Sequence, residues 1–259
     1  MQPDDTLGWI GFAVIMLLSL SVHEAAHAFV ADRLGDPTAR QLGRVTLNPL
    51  KHLHPVLSFL LPLGLYVAGT LTSHPVPIVG GGRPVPINVL NFRHKARDFM
   101  LVALAGPFSN LALVVVFGAL FVLASWTGFI EPTVIRNPFG PDNVVSASFL
   151  YDDSANHVEM WLKLGALLNL ALALFNLVPL PPLDGSRVIG WLLPRSVQFR
   201  WYALDRLGIF LILGLMYLGQ AGQGGHSGGL MIYFLRVLEW GYTNIGLVVD
   251  KLVGVVAPS

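Results

Sequence analysis

The 259-residue chain contains no cysteine, which excludes disulfides and thiolate zinc ligands together and says little about the redox compartment. Charge is scarce as well. Only 12% of residues are Asp, Glu, Lys or Arg, while 54% are apolar; a soluble domain carries about a quarter charged residues. With so little polar surface on a chain this long, the expected solvent is lipid. A net charge of +1 offers no basic surface, so no nucleic-acid partner is expected. The chain begins Met-Gln-Pro-Asp-Asp and lacks the basic region of a signal peptide, so its first apolar run is expected to be retained. No Ser/Gly linker, heptad array or internal repeat divides it, and no spare stretch has the size of an ordinary soluble module. Residues 1–259 therefore read as a single integral-membrane domain, and nothing in the sequence points to an oligomeric state.

What is present is a series of apolar runs separated by basic loops. Leu7 to Val30 is long enough to span as a helix, roughly 36 Å at 1.5 Å per residue. Leu53 to Leu71 is apolar but interrupted by Pro55, Pro62, Gly64 and Gly69, and residues 75–92 alternate apolar residues with Pro and Gly, predicting extended chain and at best an edge strand. Phe99–Ser125, Met160–Val178 and Leu207–Leu218 are further helical runs, and Leu230–Val256 either spans or lies in the interface. The expected fold is all-α and polytopic, with about five to six transmembrane helices and a short extended or re-entrant segment near residues 53–92. Lys and Arg dominate residues 31–52, 83–98 and 184–206, whereas residues 126–159 hold one arginine and five acids. By the positive-inside rule the first three loops are cytoplasmic. The chain between 52 and 83 then makes no single net crossing, and irregular backbone survives at membrane depth only when it is buried in protein or lines a wet cavity. A water-accessible cavity opening toward the cytoplasm is expected.

Within the first apolar run stands His23-Glu24-Ala25-Ala26-His27. On a helix, positions i and i+4 differ by about 40° in azimuth and one turn in height, so both imidazoles can grip one zinc ion with the glutamate in reach of a nearby water. A chance match is the plain alternative, but three ionisable groups inside an apolar helix are expensive and usually functional. A third ligand is needed at similar depth. Asp184, in Leu183-Asp184-Gly185, is the candidate, because the charge pattern puts it at the same end of the membrane; its alternative reading is a helix N-cap. Asn176 and Asn110 are candidates for an oxyanion or substrate contact, with an interhelical hydrogen bond as the alternative for each. Gly106-Pro107 reads as a place where a helix loosens or kinks for close packing, and Pro181-Pro182 as extended backbone projecting Asp184 sideways. His52, His54, His74, His94, His157 and His226 fall in predicted loops or segment ends where hydration is easy, and Trp126, Trp161, Trp191, Trp201 and Trp240 suit interfacial anchoring.

"HEAAHA", then "AGPFSN", then "NLVPLPPLDG" resemble, in that order, the site-2 protease family of intramembrane zinc metalloproteases. "DRLGDPTARQLGRVTLNPLKHLHP" and "GGRPVPINVLNFRHKARD" are similar to its compact prokaryotic branch, which lacks an appended peptide-binding domain. The resemblance covers most of residues 8–206. It implies a catalytic core over about 7–206 followed by C-terminal helices over about 207–257. It also implies one Zn2+ per chain on His23, His27 and Asp184, with Glu24 as general base. The implied activity is endopeptidase cleavage in or near the transmembrane segment of a single-span membrane-protein substrate, in the inner membrane of a prokaryotic cell, with the site nearer the cytoplasm. The chain departs from the family's His-x-Asp-Pro at His52-Leu53-His54-Pro55, which leaves the role of His54 open. The rival reading from the residues alone is a zinc or proton-coupled transporter using the same His/Asp site.

Overall fold

Long apolar runs without a polar face form helices that must be buried on all sides, by protein or by lipid. Three such helices make the frame: α1 (Thr6–Arg33), α3 (Lys95–Trp126) and α4 (His157–Leu177). Each is long and apolar enough to cross a membrane. The computed structural model describes residues 6–53, 82–130, 157–208 and 230–253, with the single positions 60, 64 and 210. Between and after the frame helices lie α2 (Thr38–Gln41), α5 (Gly185–Leu192), α6 (Arg195–Ala203) and α7 (Leu230–Val253), and no strand is present among the described residues. The protein is thus a helical membrane protein. The expected spans over most of 53–71 and 207–218 lie outside the described residues.

Side-chain contacts set the helix directions. His27 meets Val102 and Ala31 packs with Phe92 and Val102, so α1 and α3 run antiparallel. Asn169 Nδ2 donates to Ser19 Oγ at 2.9 Å, and Gly11 lies against Trp161, so α4 runs parallel to α1. Leu238 and Tyr242 pack on Val114, Leu167 and Leu170, while Val249 packs on Phe121 and Val122. The 24-residue α7 therefore travels alongside α3 in the same direction.

The basic loops gather at one end of this frame. Asp98 supports the start of α3 by accepting from the His94 backbone N–H at 2.8 Å, with Arg97 on its other oxygen, an acid where the helix dipole favours one. Buried Asp36 joins two loops: it accepts from the Thr38 and Asn88 backbone N–H groups and from the Asn91 side chain. Those hydrogen bonds outweigh the cost of burial and hold its carboxyl below the usual 3.8. His52 is buried and its Nε2 donates to the Thr46 carbonyl at 2.8 Å, a loop brace; His54 lies outside the described residues. The backbone of His52 in turn accepts from the Arg83 N–H, which begins the segment 82–88. That segment carries no regular hydrogen-bonded structure, and no strand forms in this part of 75–92.

Candidate metal centre

His23 and His27 lie on one face of α1 in its C-terminal half, both buried, with their Nε2 atoms 3.0 Å apart. The helix alone brings the rings together; what aims them is α3. His27 Nδ1 donates to the Val102 carbonyl at 2.7 Å, which leaves Nε2 as the free lone pair of the neutral ring. Gly106 sits directly over the pair: a Cβ there would lie 2.4 Å from His27 Nε2 and 2.6 Å from His23 Nε2. The close packing expected at Gly106-Pro107 is present, and α3 continues unbroken through Pro107.

The third group arrives from the far end of α4. Asp184 Oδ2 lies 3.2 Å from His23 Nε2 and 3.3 Å from His27 Nε2. Asp184 occupies the N-cap position of α5, yet its side chain caps nothing there and turns to the histidines instead. The backbone route differs from the expected extended one. Residues 178–186 form successive tight turns, with Leu183 N–H donating to the Leu180 carbonyl and Ser186 N–H to the Leu183 carbonyl, and the Pro181–Pro182 peptide is cis. The fold-back presses Gly185 onto the end of α4, where a Cβ would lie 2.2 Å from the Leu177 carbonyl oxygen. Only glycine fits so close a backbone approach, and the residue before it is thereby delivered to α1.

Three donor atoms at 3.0–3.3 Å from one another form a nearly equilateral triangle. Donors bound at about 2.0–2.1 Å with tetrahedral angles stand roughly 3.3 Å apart, so the triangle fits a zinc ion. Asp184 Oδ2 is buried with no hydrogen-bond partner, as expected of an oxygen aimed at an ion. The donor set of two imidazoles and one carboxylate is that of a catalytic zinc with an open position.

A cavity of about 410 Å³ opens beside the triangle, lined by His23, Glu24, His27, Asn176, Asp184 and Arg187 among others. Part of its wall is the segment 82–88, with Gly82, Pro84, Val85 and Ile87. A Cβ on Gly82 would stand 3.6 Å from Glu24 Oε1, so this segment runs against the glutamate. Asn176 donates one amide N–H to the Leu172 carbonyl at 2.9 Å and still faces the cavity. Asn110 is different: it is fully buried and is not among the residues lining the cavity. Arg187, which the sequence reading passed over, is held by Asp205 at 2.7 Å and stands over both the Phe99 and Tyr202 rings, its Cζ 5.1 and 5.3 Å from their centroids. Its place one turn after Asp184 was the available signal. The Val102 carbonyl had none, because a backbone acceptor looks alike in every residue.

Comparison with known proteins agrees with the chemistry of this donor set. The profile of Peptidase family M50 matches residues 11–215. The chain is 36% identical over 209 residues to "Putative zinc metalloprotease YwhC" of Bacillus subtilis (strain 168), covering 80% of this chain and 81% of that protein. It is 30% identical over 185 residues to "Putative zinc metalloprotease Rip2" of Mycolicibacterium smegmatis (strain ATCC 700084 / mc(2)155), covering 69% and 57%. It is also 30% identical over 231 residues to "Putative zinc metalloprotease Rip3" of Mycobacterium tuberculosis (strain ATCC 25618 / H37Rv), covering 87% and 43%. The match thus spans about half the length of these two mycobacterial relatives. No solved structure matches the chain.

Proposed function

Because this chain belongs to Peptidase family M50, we propose that it is a zinc endopeptidase that cuts a single-span membrane protein in or near its transmembrane segment, after an earlier truncation. His23, His27 and Asp184 hold the ion. Zinc, when bound, supplies Lewis acidity that polarises the scissile carbonyl and makes a water acidic enough to attack near neutral pH. Glu24, on the cavity wall, takes the proton from the attacking water and passes it to the nitrogen of the leaving amine. Asn176 presents its amide to the substrate backbone, and the guanidinium of Arg187 completes that wall. The convergence of His23 Nε2, His27 Nε2 and Asp184 Oδ2 beside Glu24 is the observation that carries this reading.

A helical substrate hides its scissile amides, so it must unwind locally before attack. The wall over residues 82–87, whose backbone carries no regular hydrogen-bonded structure, suits pairing with such an unwound strand by backbone hydrogen bonds. The clustering of the basic loops at the metal end supports a site nearer the cytoplasm, in the inner membrane of a prokaryotic cell.

The test is Glu24→Gln in the purified protein, with bound zinc and cleavage of a model transmembrane peptide measured together. The expected result is zinc retained at wild-type stoichiometry and cleavage lowered by at least about 100-fold. Wild-type cleavage by this variant would refute the mechanism, and metal transport without cleavage by the wild type would favour a transporter.

A further inference from the structure

An imidazole that gives Nε2 to a metal carries its proton on Nδ1, and ligating histidines almost always donate that N–H to an outer partner. His27 does so, through the Val102 carbonyl. His23 does not: its Nδ1 is buried without a hydrogen-bond partner. Such groups are rare because an unpaired buried donor is costly.

The register of α1 against α3 shows which side chain stands at the right level. Gly106 faces the Cε1–Nε2 edge of His23, and Nδ1 is the ring atom next to Cε1. The helices are antiparallel, so moving outward from Gly106 along α3 follows α1 from His27 back toward His23 and Ser19. One turn on, and on the same face as Gly106, comes Asn110. Asn110 is fully buried, its Nδ2 has no partner, and its Oδ1 has only a marginal 3.5 Å contact from Ser109 Oγ. The two ends of a side-chain amide have nearly the same shape, so turning Asn110 end for end puts an acceptor where the unpaired nitrogen stands, beyond direct reach of His23 Nδ1 and in need of one bridging water. Two orphaned groups on facing helices are then complementary: one needs an acceptor and the other can supply it. Asn169 also has an unpaired oxygen, but its nitrogen is committed to Ser19 Oγ and the Gly165 carbonyl, which fixes the amide as an interhelical tie.

We propose that Asn110 is a positioning residue of the metal centre, its amide oxygen accepting the Nδ1–H of His23 through one buried water. It thereby sets the tautomer and ring orientation that aim Nε2 at the site shared with His27 and Asp184. This inference rests on the zinc reading above, and it assigns Asn110 a place behind the metal instead of in contact with substrate.

The experiment measures zinc affinity of the full chain in detergent by competition with a chromophoric chelator, together with thermal unfolding of the zinc-free form. Wild type and His23→Ala set the scale: absence of zinc binding by the wild type would overturn the zinc reading itself. Given wild-type binding, Asn110→Leu should weaken zinc binding about 10–100-fold without lowering the unfolding temperature of the zinc-free protein. Asn110→Asp, which keeps an acceptor, should restore most of that affinity, and Asn169→Leu should cost much less zinc affinity than Asn110→Leu. If leucine compromises folding, Asn110→Ala takes its place with the same expectation. Wild-type affinity in Asn110→Leu (or in Asn110→Ala where it replaces leucine), failure of Asn110→Asp to bind better, or an equal loss in Asn169→Leu would each overturn the assignment.

Discussion

Two hollows in this molecule differ in kind. The groove between α3 and α7, about 760 Å³, is lined by residues such as Val115, Ala119, Leu123, Trp240 and Val248 and holds no ionisable side chain. The cavity beside the histidines is smaller, about 410 Å³, and brings together two imidazoles, two carboxylates, an amide and a guanidinium. In lipid an apolar groove is inexpensive, because acyl chains cover it as well as protein does. Ionisable groups at membrane depth are expensive, and persist only where partners or an ion compensate them. Size therefore says little about where the chemistry lies; convergence of costly groups says much.

The comparison is sharpest at Gly106. Gly106→Ala drives a methyl group into the atoms that form the donor triangle, and the rings can make room only by leaving it. The expected loss of zinc affinity is roughly 100-fold or more, measured by the same chelator competition; near-normal affinity would mean that the triangle tolerates displacement. A smaller effect is expected at Asp36, which ties Asn88 and Asn91, at the end of the cavity-wall segment, to the loop after α1. Asp36→Ala should destabilise the protein by about 2–3 kcal/mol, read from denaturation in detergent. The native carboxyl titrates below its ordinary 3.8, so this contribution is complete above that pH. The part of it that depends on ionisation is lost as pH falls through the lowered native value, and the gap between wild type and variant should narrow there. The smallest effect belongs to the groove. Ala119→Phe should leave zinc affinity and peptide cleavage within about twofold of wild type, and a large loss of cleavage would tie the groove to the substrate path.

Legibility followed the range of the interactions. The three long apolar helices were readable because their apolar runs exceed what a soluble core needs, and their observed ends lie within four residues of the expected ones. The His23–Glu24–His27 constellation was readable because helical periodicity alone places i and i+4 together. Asp184 was reached through loop charges, a long-range argument that needed only the end of the membrane and not the path. The path itself was misjudged: Pro181-Pro182 suggested extended chain, whereas the described backbone folds back on the carbonyls of α4. Asn176 and Asn110 were indistinguishable as intramembrane amides. One faces the cavity and the other is sealed between helices, a difference set by helix rotation and register, which depend on every contact along α1, α3 and α4.

Composition and periodicity thus determined the solvent, the helical frame and the residue types able to hold a metal, since each follows from local geometry and from the cost of polar groups in lipid. Only the tertiary structure decided that two donors from within α1 and one from the N-cap of α5 stand 3.0–3.3 Å apart, that Gly106 lies over them, and that a backbone carbonyl orients His27. Those are contacts between segments remote in the chain, and their distances are settled by packing that no local pattern records.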